Sequence, residues 1–350
     1  MTETEADRAP GPLTPQKLFE MMAGFKATAV LRAAVELGVF DALAKGPADA
    51  AEVAARLGAD PRGTRLLLGA LAALRLLQER GGHYELAPGA DELLVSSSPR
   101  YCGGITAVAS SQGEWEALGQ LARTVREGTP VPGVDALAPD FPYWADFATH
   151  TTFGTLRAAE LLADVLDPWA RPRTALHVLD VGCGHGLAGY VLARRLPQAR
   201  VHSQDWPTVL EVAARHAERL GVRDRVEMLP GDAFDVPLTR TYDLIVLGNV
   251  LFHFPPERAA ALVRRLAGAL TPDGRLVVVG FTTGDQPPAD EPHAHLLGLL
   301  MLSWTRGGEM HSTAAHRAML AAAGLTDTEL HTRPGLPLRV LVAARPGSAG

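Results

Sequence analysis

The chain has 350 residues, of which 47% are hydrophobic, and its formal net charge is −6. A chain of this length can bury a large core in about two domains. The negative charge argues against a general attraction to nucleic acid or to an anionic membrane surface.

Cys102 and Cys183, the two cysteines, lie far apart in the sequence. This spacing favours a reducing compartment and argues against a disulfide framework or a thiolate zinc site. No stretch approaches about eighteen consecutive apolar residues, so no membrane span is predicted. Residues 1–14 are acidic, contain proline and lack an apolar segment, which predicts a disordered tail and not a signal peptide. We therefore expect a cytoplasmic protein.

Residues 15–105 predict helices followed by a hairpin. An apolar face runs from Leu31 to Leu43, a short helix is predicted at 48–57, and a third helix begins at Asp60 with proline in its first turn. The hairpin falls at 81–86. Helices followed by a hairpin give a winged-helix outline, which also occurs in DNA-binding proteins. The third helix is apolar on almost every side, which favours packing against a second subunit over binding to DNA.

Residues 106–172 predict a helical, aromatic-rich connection, whose aromatic side chains could be plain core or part of a binding pocket. Trp115, Leu118 and Leu121 indicate one helix within it. From residue 173 to the end, strands and helices alternate. This pattern predicts an α/β domain with a doubly wound, mostly parallel, Rossmann-like sheet of about seven strands, with ligands at the carboxyl ends of the strands.

The first of these strands, at 176–181, leads into three glycines at alternate positions, Gly182, Gly184 and Gly186. Glycines so placed remove every Cβ from the turn, so that backbone can lie against a ligand and a helix at 187–196 can start beside the strand. The amides at the start of that helix would point at the ligand. A tight turn without a cofactor is the structural alternative.

The glycines alone do not identify the cofactor, because Gly184 to Gly189 also match the G-x-G-x-x-G pattern of dinucleotide enzymes. Asp180, directly before the loop, suits a ligand with an ammonium group, such as S-adenosylmethionine. Asp205 follows the loop at roughly twenty residues, where a carboxylate meets ribose hydroxyls in either class. Asp232 could hold an adenine edge. The remaining cofactor-binding candidates are Trp206, Ala233, Phe234 and Asn249.

The segment Val-Leu-Asp-Val-Gly-Cys-Gly-His-Gly at 178–186, with Asp205 and Gly-Asp-Ala-Phe at 231–234, resembles the Rossmann-like methyltransferases. Segments 37–43, 65–71 and 84–86 are similar to the dimerisation domain of bacterial and plant small-molecule O-methyltransferases of the caffeic-acid type. The resemblance implies an all-helical, winged-helix-like dimerisation domain at 15–105 and a catalytic domain at 173–350. It also implies S-adenosylmethionine as cofactor, a homodimer formed through the N-terminal helices, and a secondary-metabolite-like acceptor.

In that family the connection at 106–172 lines the acceptor pocket, and a helix at 291–304 covers it. By resemblance, the substrate-binding candidates of this chain are Tyr143, His150, Phe153, Phe252, Leu297, Met301 and Trp304.

In that family a His-Asp-Trp or His-His-Phe segment follows the fourth strand, and its first histidine takes the proton of the acceptor hydroxyl. Here Phe252 stands at that position and His253 at the next, turned by about 100° if the segment is helical. Gly280 stands where a companion acid is usual, and Glu309 is the acid that remains. The catalytic candidates are therefore His253, His311 and Glu309, with His150 as a further possible base.

The altered residues leave three interpretations open. The favoured one is methylation of a small molecule at oxygen with another base, or at an activated carbon or a carboxylate; a carboxylate already ionised at pH 7 needs no base. The second keeps the cofactor but uses it for decarboxylation, hydroxylation or a pericyclic reaction. The third is metal-assisted, since His293 and His295 could chelate a divalent ion. Twelve histidines make such pairs common by chance, so no metal is predicted.

Overall fold

The computed structural model describes residues 12–347, which form two compact units divided between Ser110 and Ser111. The division falls near the predicted boundary after residue 105, and residues 111–172 of the predicted connection lie in the same unit as the sheet. Most of the predicted tail at 1–14 lies outside the described residues. No helix within residues 12–347 is long and apolar enough to cross a bilayer.

The first unit is mainly helical and contains one small sheet. Its helices are α1 (Pro15–Leu37), α2 (Val39–Leu43), α3 (Ala50–Leu57), α4 (Pro61–Ala73), α5 (Ala90–Leu94) and α6 (Thr106–Ala109). Its strands are β1 (Ala48–Asp49), β2 (Leu77–Arg80) and β3 (His83–Leu86), which pair antiparallel in the order β1-β3-β2. The predicted hairpin is present as β2 and β3, while β1 was not predicted and means that the unit is not all-helical.

Two predicted helix boundaries in this unit were wrong. The apolar run from Leu31 to Leu43 is interrupted by Gly38, whose left-handed φ of 75° ends α1 before α2 begins. The helix predicted from residue 48 begins at Ala50, because Asp49 caps it by accepting hydrogen bonds from the amides of Ala51 and Glu52. The predicted start of α4 at Asp60 is confirmed, since the Asp60 side chain accepts from the Gly63 amide.

The N-terminal half of α1 projects without cover from the described chain. Residues 15–26 are all exposed. They include a run of large apolar side chains: Leu18, Phe19, Met21, Met22 and Phe25. In α4, by contrast, Leu68 and Leu71 are fully buried and Leu66 is the one exposed leucine. An apolar surface of this kind marks an interaction site, and it lies on α1 and not on the helix singled out from the sequence.

The second unit is a seven-stranded sheet covered by helices, as predicted. Its helices are α7 (Gln112–Gly119), α8 (Leu121–Glu127), α9 (Tyr143–His150), α10 (Thr152–Ala170), α11 (Leu187–Arg195), α12 (Pro207–Arg219), α13 (Pro256–Ala267), α14 (Pro292–Trp304) and α15 (Thr313–Ala322). Its strands are β4 (Leu176–Val181), β5 (Ala199–Asp205), β6 (Val226–Pro230), β7 (Tyr242–Gly248), β8 (Leu270–Gly280), β9 (Asp327–His331) and β10 (Arg339–Ala344). The single helix predicted around Trp115 is two helices, because the chain leaves helical geometry at Gln120.

The strand order is β6-β5-β4-β7-β8-β10-β9, and β10 runs opposite to the other six strands. Alternate residues of each strand face opposite layers. In β7, Leu244 and Val246 pack with α10 and α11, whereas Ile245 and Leu247 pack with α13 and α15. The connections reverse direction between β4 and β7, so the loops after these strands emerge together at the point where such sheets bind ligands.

We expect a second copy of the chain to cover the exposed face of α1. The double substitution Phe19→Glu and Met22→Glu should shift the protein from dimer to monomer in sedimentation equilibrium, because an apolar contact would then have to bury carboxylates. Lys17→Glu changes the charge of the same segment without removing an apolar side chain, and it should leave the dimer intact. A monomeric wild-type protein at micromolar concentration would contradict the expectation.

Candidate functional site

The loop after β4 depends on glycine at all three positions, for different reasons. Gly182, Gly184 and Gly186 have φ values of 58°, 55° and 77°, which residues other than glycine rarely adopt. A Cβ on Gly182 would lie 2.5 Å from the Val250 side chain, and one on Gly186 would lie 2.2 Å from the Tyr190 ring. A Cβ on Gly184 would meet no protein atom within 4 Å. The outer glycines therefore close the turn, and the central one leaves space for a ligand.

Two carboxylates, of which Asp180 is buried and Asp205 half-buried, hold this loop. Asp180, 1% exposed, accepts a hydrogen bond from the Gly189 amide through Oδ2 at 3.1 Å. Asp205 accepts from the amides of Gly184 and Trp206, both at 2.8 Å. Burial raises the pKa of Asp180 to about 7, and it raises that of Asp205 to about 6 against the opposing effect of the two amides. Carboxylates with so little contact with solvent favour a ligand that brings hydroxyl donors or positive charge.

A buried amide that the sequence analysis missed links this loop to the next. The Gln204 side chain accepts from the Gly182 amide at 3.1 Å and donates to the Gly231 carbonyl at 2.6 Å. Next to Gly231, the Asp232 carboxylate accepts from the Phe234 amide at 2.8 Å and shapes the turn. Strand β5 reads Ala-Arg-Val-His-Ser-Gln-Asp, so one more polar residue at position 204 gave no signal in the sequence. Through Gln204, the three predicted cofactor segments are hydrogen-bonded into one framework.

Asn249 completes this side of the site from the end of β7. It is a non-glycine residue with a φ of 55°, held by a hydrogen bond from its amide to the Val279 carbonyl at 2.8 Å. Its side-chain Oδ1 is buried without a hydrogen-bond partner. A Cβ on Gly280 would lie 3.0 Å from that oxygen, so the glycine makes room for the amide. Strain and an unpaired buried oxygen at one residue are typical of a ligand-binding position.

A cavity of about 60 Å³ lies between the glycine loop, Asp180 and Asn249 on one side and Phe147 and Thr155 on the other. Phe147 and Thr155 were not among the predicted site residues. Phe153 is 44% exposed, and His150 is half-buried at the end of α9 without a described hydrogen bond. Positions 153 and 155 differ by about 200° around a helix, so only one of them faces the cavity. Thr155, and not Phe153, therefore lines this cavity.

His185, which the sequence analysis also missed, fastens this wall to the glycine loop. Its Nδ1 accepts from the Leu187 amide at 3.1 Å, and its Nε2 therefore carries the proton and donates to Thr155 Oγ1 at 2.9 Å. Burial lowers the pKa of His185 to about 3, so the ring is neutral. Helix α10 and the glycine loop are consequently held together by one imidazole.

Five of the predicted substrate-binding residues meet in an aromatic cluster beside the cavity. This acceptor cluster contains Tyr143, Phe252, Leu297, Met301 and Trp304. The Tyr143 ring meets the Trp304 ring edge to face, with centroids 4.6 Å apart. Met301 and Trp304 are each 1% exposed. Flat apolar walls of this kind suit an aromatic small molecule.

His253 lies where the cluster meets the cavity. It follows Phe252 in a short 3₁₀ turn, and its ring centroid lies 5.0 Å from that of Trp144. Its Nδ1 is buried and has no hydrogen-bond partner. Burial lowers its pKa to about 4, against the opposing effect of a hydrogen bond to the Asn249 backbone. The imidazole is therefore neutral at pH 7 and has one nitrogen able to accept a proton.

The other two catalytic candidates are placed differently. His311 is 3% exposed and donates from Nε2 to the Leu251 carbonyl at 3.1 Å, so it holds the turn that carries His253. Glu309 is exposed. Gly308 packs against this turn, since a Cβ there would come within 2.9 Å of the Phe252 and His253 carbonyl oxygens. With Gly308 turned inward, the structure does not bring Glu309 into the buried cluster.

The metal-assisted interpretation requires several side chains grouped around one ion. Among residues 12–347, no three His, Cys, Asp or Glu side chains are grouped closely enough to hold an ion. His293 and His295 are both exposed on the first turn of α14.

Comparisons with known proteins bear on both units. The family described as O-methyltransferase dimerisation domain matches residues 19–96, and the O-methyltransferase domain family matches residues 162–326. Acetylserotonin O-methyltransferase of Mus musculus is 35% identical, with 95% of this chain and 89% of that protein covered. For 3-hydroxy-5-methyl-1-naphthoate 3-O-methyltransferase of Streptomyces sahachiroi the identity is 29%, with 97% and 95% covered. The solved structure of PigF with SAH has a TM-score of 0.80 at 27% identity, with 95% and 100% covered.

We expect Gly184→Ala to weaken binding of S-adenosylhomocysteine by at least about tenfold in calorimetry, because its methyl group would enter the ligand space. The left-handed φ alone should cost about 1 to 2 kcal/mol of unfolding free energy. Gly324→Ala is the matched control, since Gly324 has a φ of 80° and also has no protein atom near its Cβ position. Equal affinities in the two variants would show that Gly184 does not face the ligand.

The raised pKa values of the two carboxyl groups predict that the affinity for S-adenosylhomocysteine depends on pH. Asp205 is ionised above a pKa of about 6 and Asp180 above about 7, so both gain protons as the pH falls from 8 to 5. A protonated Asp205 accepts hydrogen bonds less well, and we expect affinity to fall about tenfold over this range. Asp205→Asn should bind weakly at both pH values with a flatter profile. A constant wild-type affinity from pH 8 to 5 would contradict this assignment.

Proposed function

The chain belongs to the S-adenosylmethionine-dependent O-methyltransferases, and on this basis we propose that it methylates a hydroxyl oxygen of a flat, largely apolar small molecule. The observation that carries the proposal is the turn from Asn249 to Phe254. At its start Asn249 borders the cavity beside the glycine loop, and further along Phe252 and His253 join the acceptor cluster. Cofactor and acceptor would therefore meet across one short turn.

The residues present fit the cofactor. Asp205 would receive the ribose hydroxyls, the Asp232–Phe234 turn would hold the adenine, and Gly184 leaves the space beside the loop. Asp180 and the unpaired Oδ1 of Asn249 are acceptors for the ammonium group of the methionine end. When bound, the cofactor supplies a sulfonium methyl group that is transferred in line to a nucleophile, so placement of the acceptor is the main demand on the protein.

The acceptor cluster supports an aromatic substrate. Tyr143 and Trp304 offer edge and face contacts, while Phe252, Leu297 and Met301 supply apolar walls. The two relatives are named for acetylserotonin and for a hydroxylated naphthoate. The match to a dimerisation domain and the exposed face of α1 support a homodimer as the working form.

His253 is the base that we propose for the acceptor hydroxyl. It is neutral, has a partnerless Nδ1 and lies beside the aromatic cluster, whereas His311 positions its turn through the Leu251 carbonyl. A base with a pKa of about 4 removes a proton poorly from an ordinary phenol, whose pKa is near 10. The site therefore favours a hydroxyl made more acidic by a conjugated carbonyl group.

The same observations favour a second candidate reaction. Phe252 in place of the usual base, together with the low pKa of His253, suits methylation of a carboxylate or an activated carbon, which need little help from a base. Decarboxylation, hydroxylation and pericyclic chemistry remain alternatives in which no methyl group leaves the cofactor. Incubation with S-adenosylmethionine labelled in its methyl group separates transfer from these reactions.

For a hydroxyl acceptor found with labelled cofactor in a panel of hydroxylated aromatic ketones and acids, His253→Ala should lower kcat about 100-fold. Affinity for S-adenosylhomocysteine should stay unchanged. His331→Ala, on the edge strand β9, is the matched control and should keep full kcat. An unchanged kcat in His253→Ala would reject this base and favour an acceptor that is already ionised. Absence of label from every product would reject the proposed transfer.

A further inference from the structure

Glu114, a half-buried residue of helix α7, has one carboxyl oxygen buried in the protein without a hydrogen-bond partner. Oε2 of Glu114 is buried and accepts no hydrogen bond. Burial raises its pKa to about 7. A buried carboxyl oxygen left without a donor is costly, so its position needs an explanation.

Local helix capping does not explain this orientation. Ser111 and Glu114 match the capping-box pattern, and the Ser111 hydroxyl accepts from the Glu114 amide at 3.3 Å. In the box at the start of α3, Glu52 returns to accept from the Asp49 amide at 2.9 Å. Glu114 makes no such return bond. The same sequence pattern therefore gives a cap in one helix and an inward carboxyl group in the other.

The surroundings of Glu114 belong to the acceptor cluster. Ala117, one helical turn later on the same face, is 1% exposed and packs in the cluster with Met301 and Trp304. Burial and the negative charge of Glu114 together raise the pKa of Tyr143. Since Tyr143 contacts Trp304, the carboxyl group lies beside the aromatic walls proposed to bind the acceptor.

We propose that Glu114 forms a polar subsite of the acceptor pocket, which binds a hydrogen-bond donor of the acceptor at a point away from the methylated group. The inference rests on the proposed function and narrows its substrate class to aromatic molecules that carry a second hydroxyl or an amino group. A donor at this point pairs the oxygen that lacks a partner. A methyl ether cannot donate, and a carboxylate would meet a like charge.

Two probes that differ in one donor test the subsite: 2,7-dihydroxynaphthalene and 7-methoxy-2-naphthol, titrated into protein saturated with S-adenosylhomocysteine. We expect the wild-type protein to bind the dihydroxy compound about tenfold more tightly in calorimetry. Glu114→Leu should abolish the preference. Glu114→Gln, whose amide oxygen still accepts, should keep part of it. Glu116→Gln, on the exposed side of the same helix, is the matched control and should keep all of it.

Equal affinities of the wild-type protein for the two probes would overturn the inference, as would no measurable binding of the dihydroxy compound or a preference that survives in Glu114→Leu. Calorimetry with S-adenosylhomocysteine alone separates this failure from that of the proposed function. Variants that bind the nucleoside normally are folded, so a lost preference in them is assigned to the subsite. A wild-type protein that does not bind the nucleoside would overturn the proposed function itself.

Discussion

The hydrogen bonds that converge on the Asp205 carboxylate are the interaction on which the rest of the site depends. They tie the Gly184 amide, in the middle of the glycine loop, to the end of β5 and the start of α12. Because burial raises the pKa of this carboxyl group, its ionisation destabilises the ligand-free protein as the pH rises through about 6. Ionisation of Asp205 therefore lowers the stability of the ligand-free protein, but it also makes the carboxylate a better acceptor for hydroxyl groups. A ligand that donates hydrogen bonds to this carboxylate would offset the lost stability.

A second constraint joins this loop to the acceptor side. The turn that begins at Asn249 is hydrogen-bonded by His311 and packed against Gly308, so its backbone has little freedom. His185 fixes α10 against the opposite side of the glycine loop. The two short segments proposed to place cofactor and acceptor are thus held by polar contacts that are buried or part-buried, which is the kind of rigid support that an in-line transfer requires.

The sequence predicted what depends on local pattern. Alternating apolar runs and the glycine spacing were sufficient for the strands, the loop and the positions of Asp180 and Asp205, since each is determined by residues close in the chain. Gln204, His185 and Thr155 were missed because their roles arise from contacts between segments far apart in sequence. The exposure of Phe153 depends on the start of α10 at Thr152, which the sequence did not specify. The capping-box pattern of Ser111 and Glu114 predicts a carboxyl group that returns to the start of α7, whereas one oxygen of Glu114 is buried without a partner.

The contact between Asn249 and Gly280 limits how this site can change by single substitutions. The resemblance to the caffeic-acid type implies an acid at 280, and its Cβ would lie 3.0 Å from Asn249 Oδ1, so the Asn249 amide would have to shift. Restoring a histidine at 252 alone would supply a base without its companion. A side chain at 280 is therefore coupled to the position of the Asn249 amide, so residues 249 and 280 would have to change together.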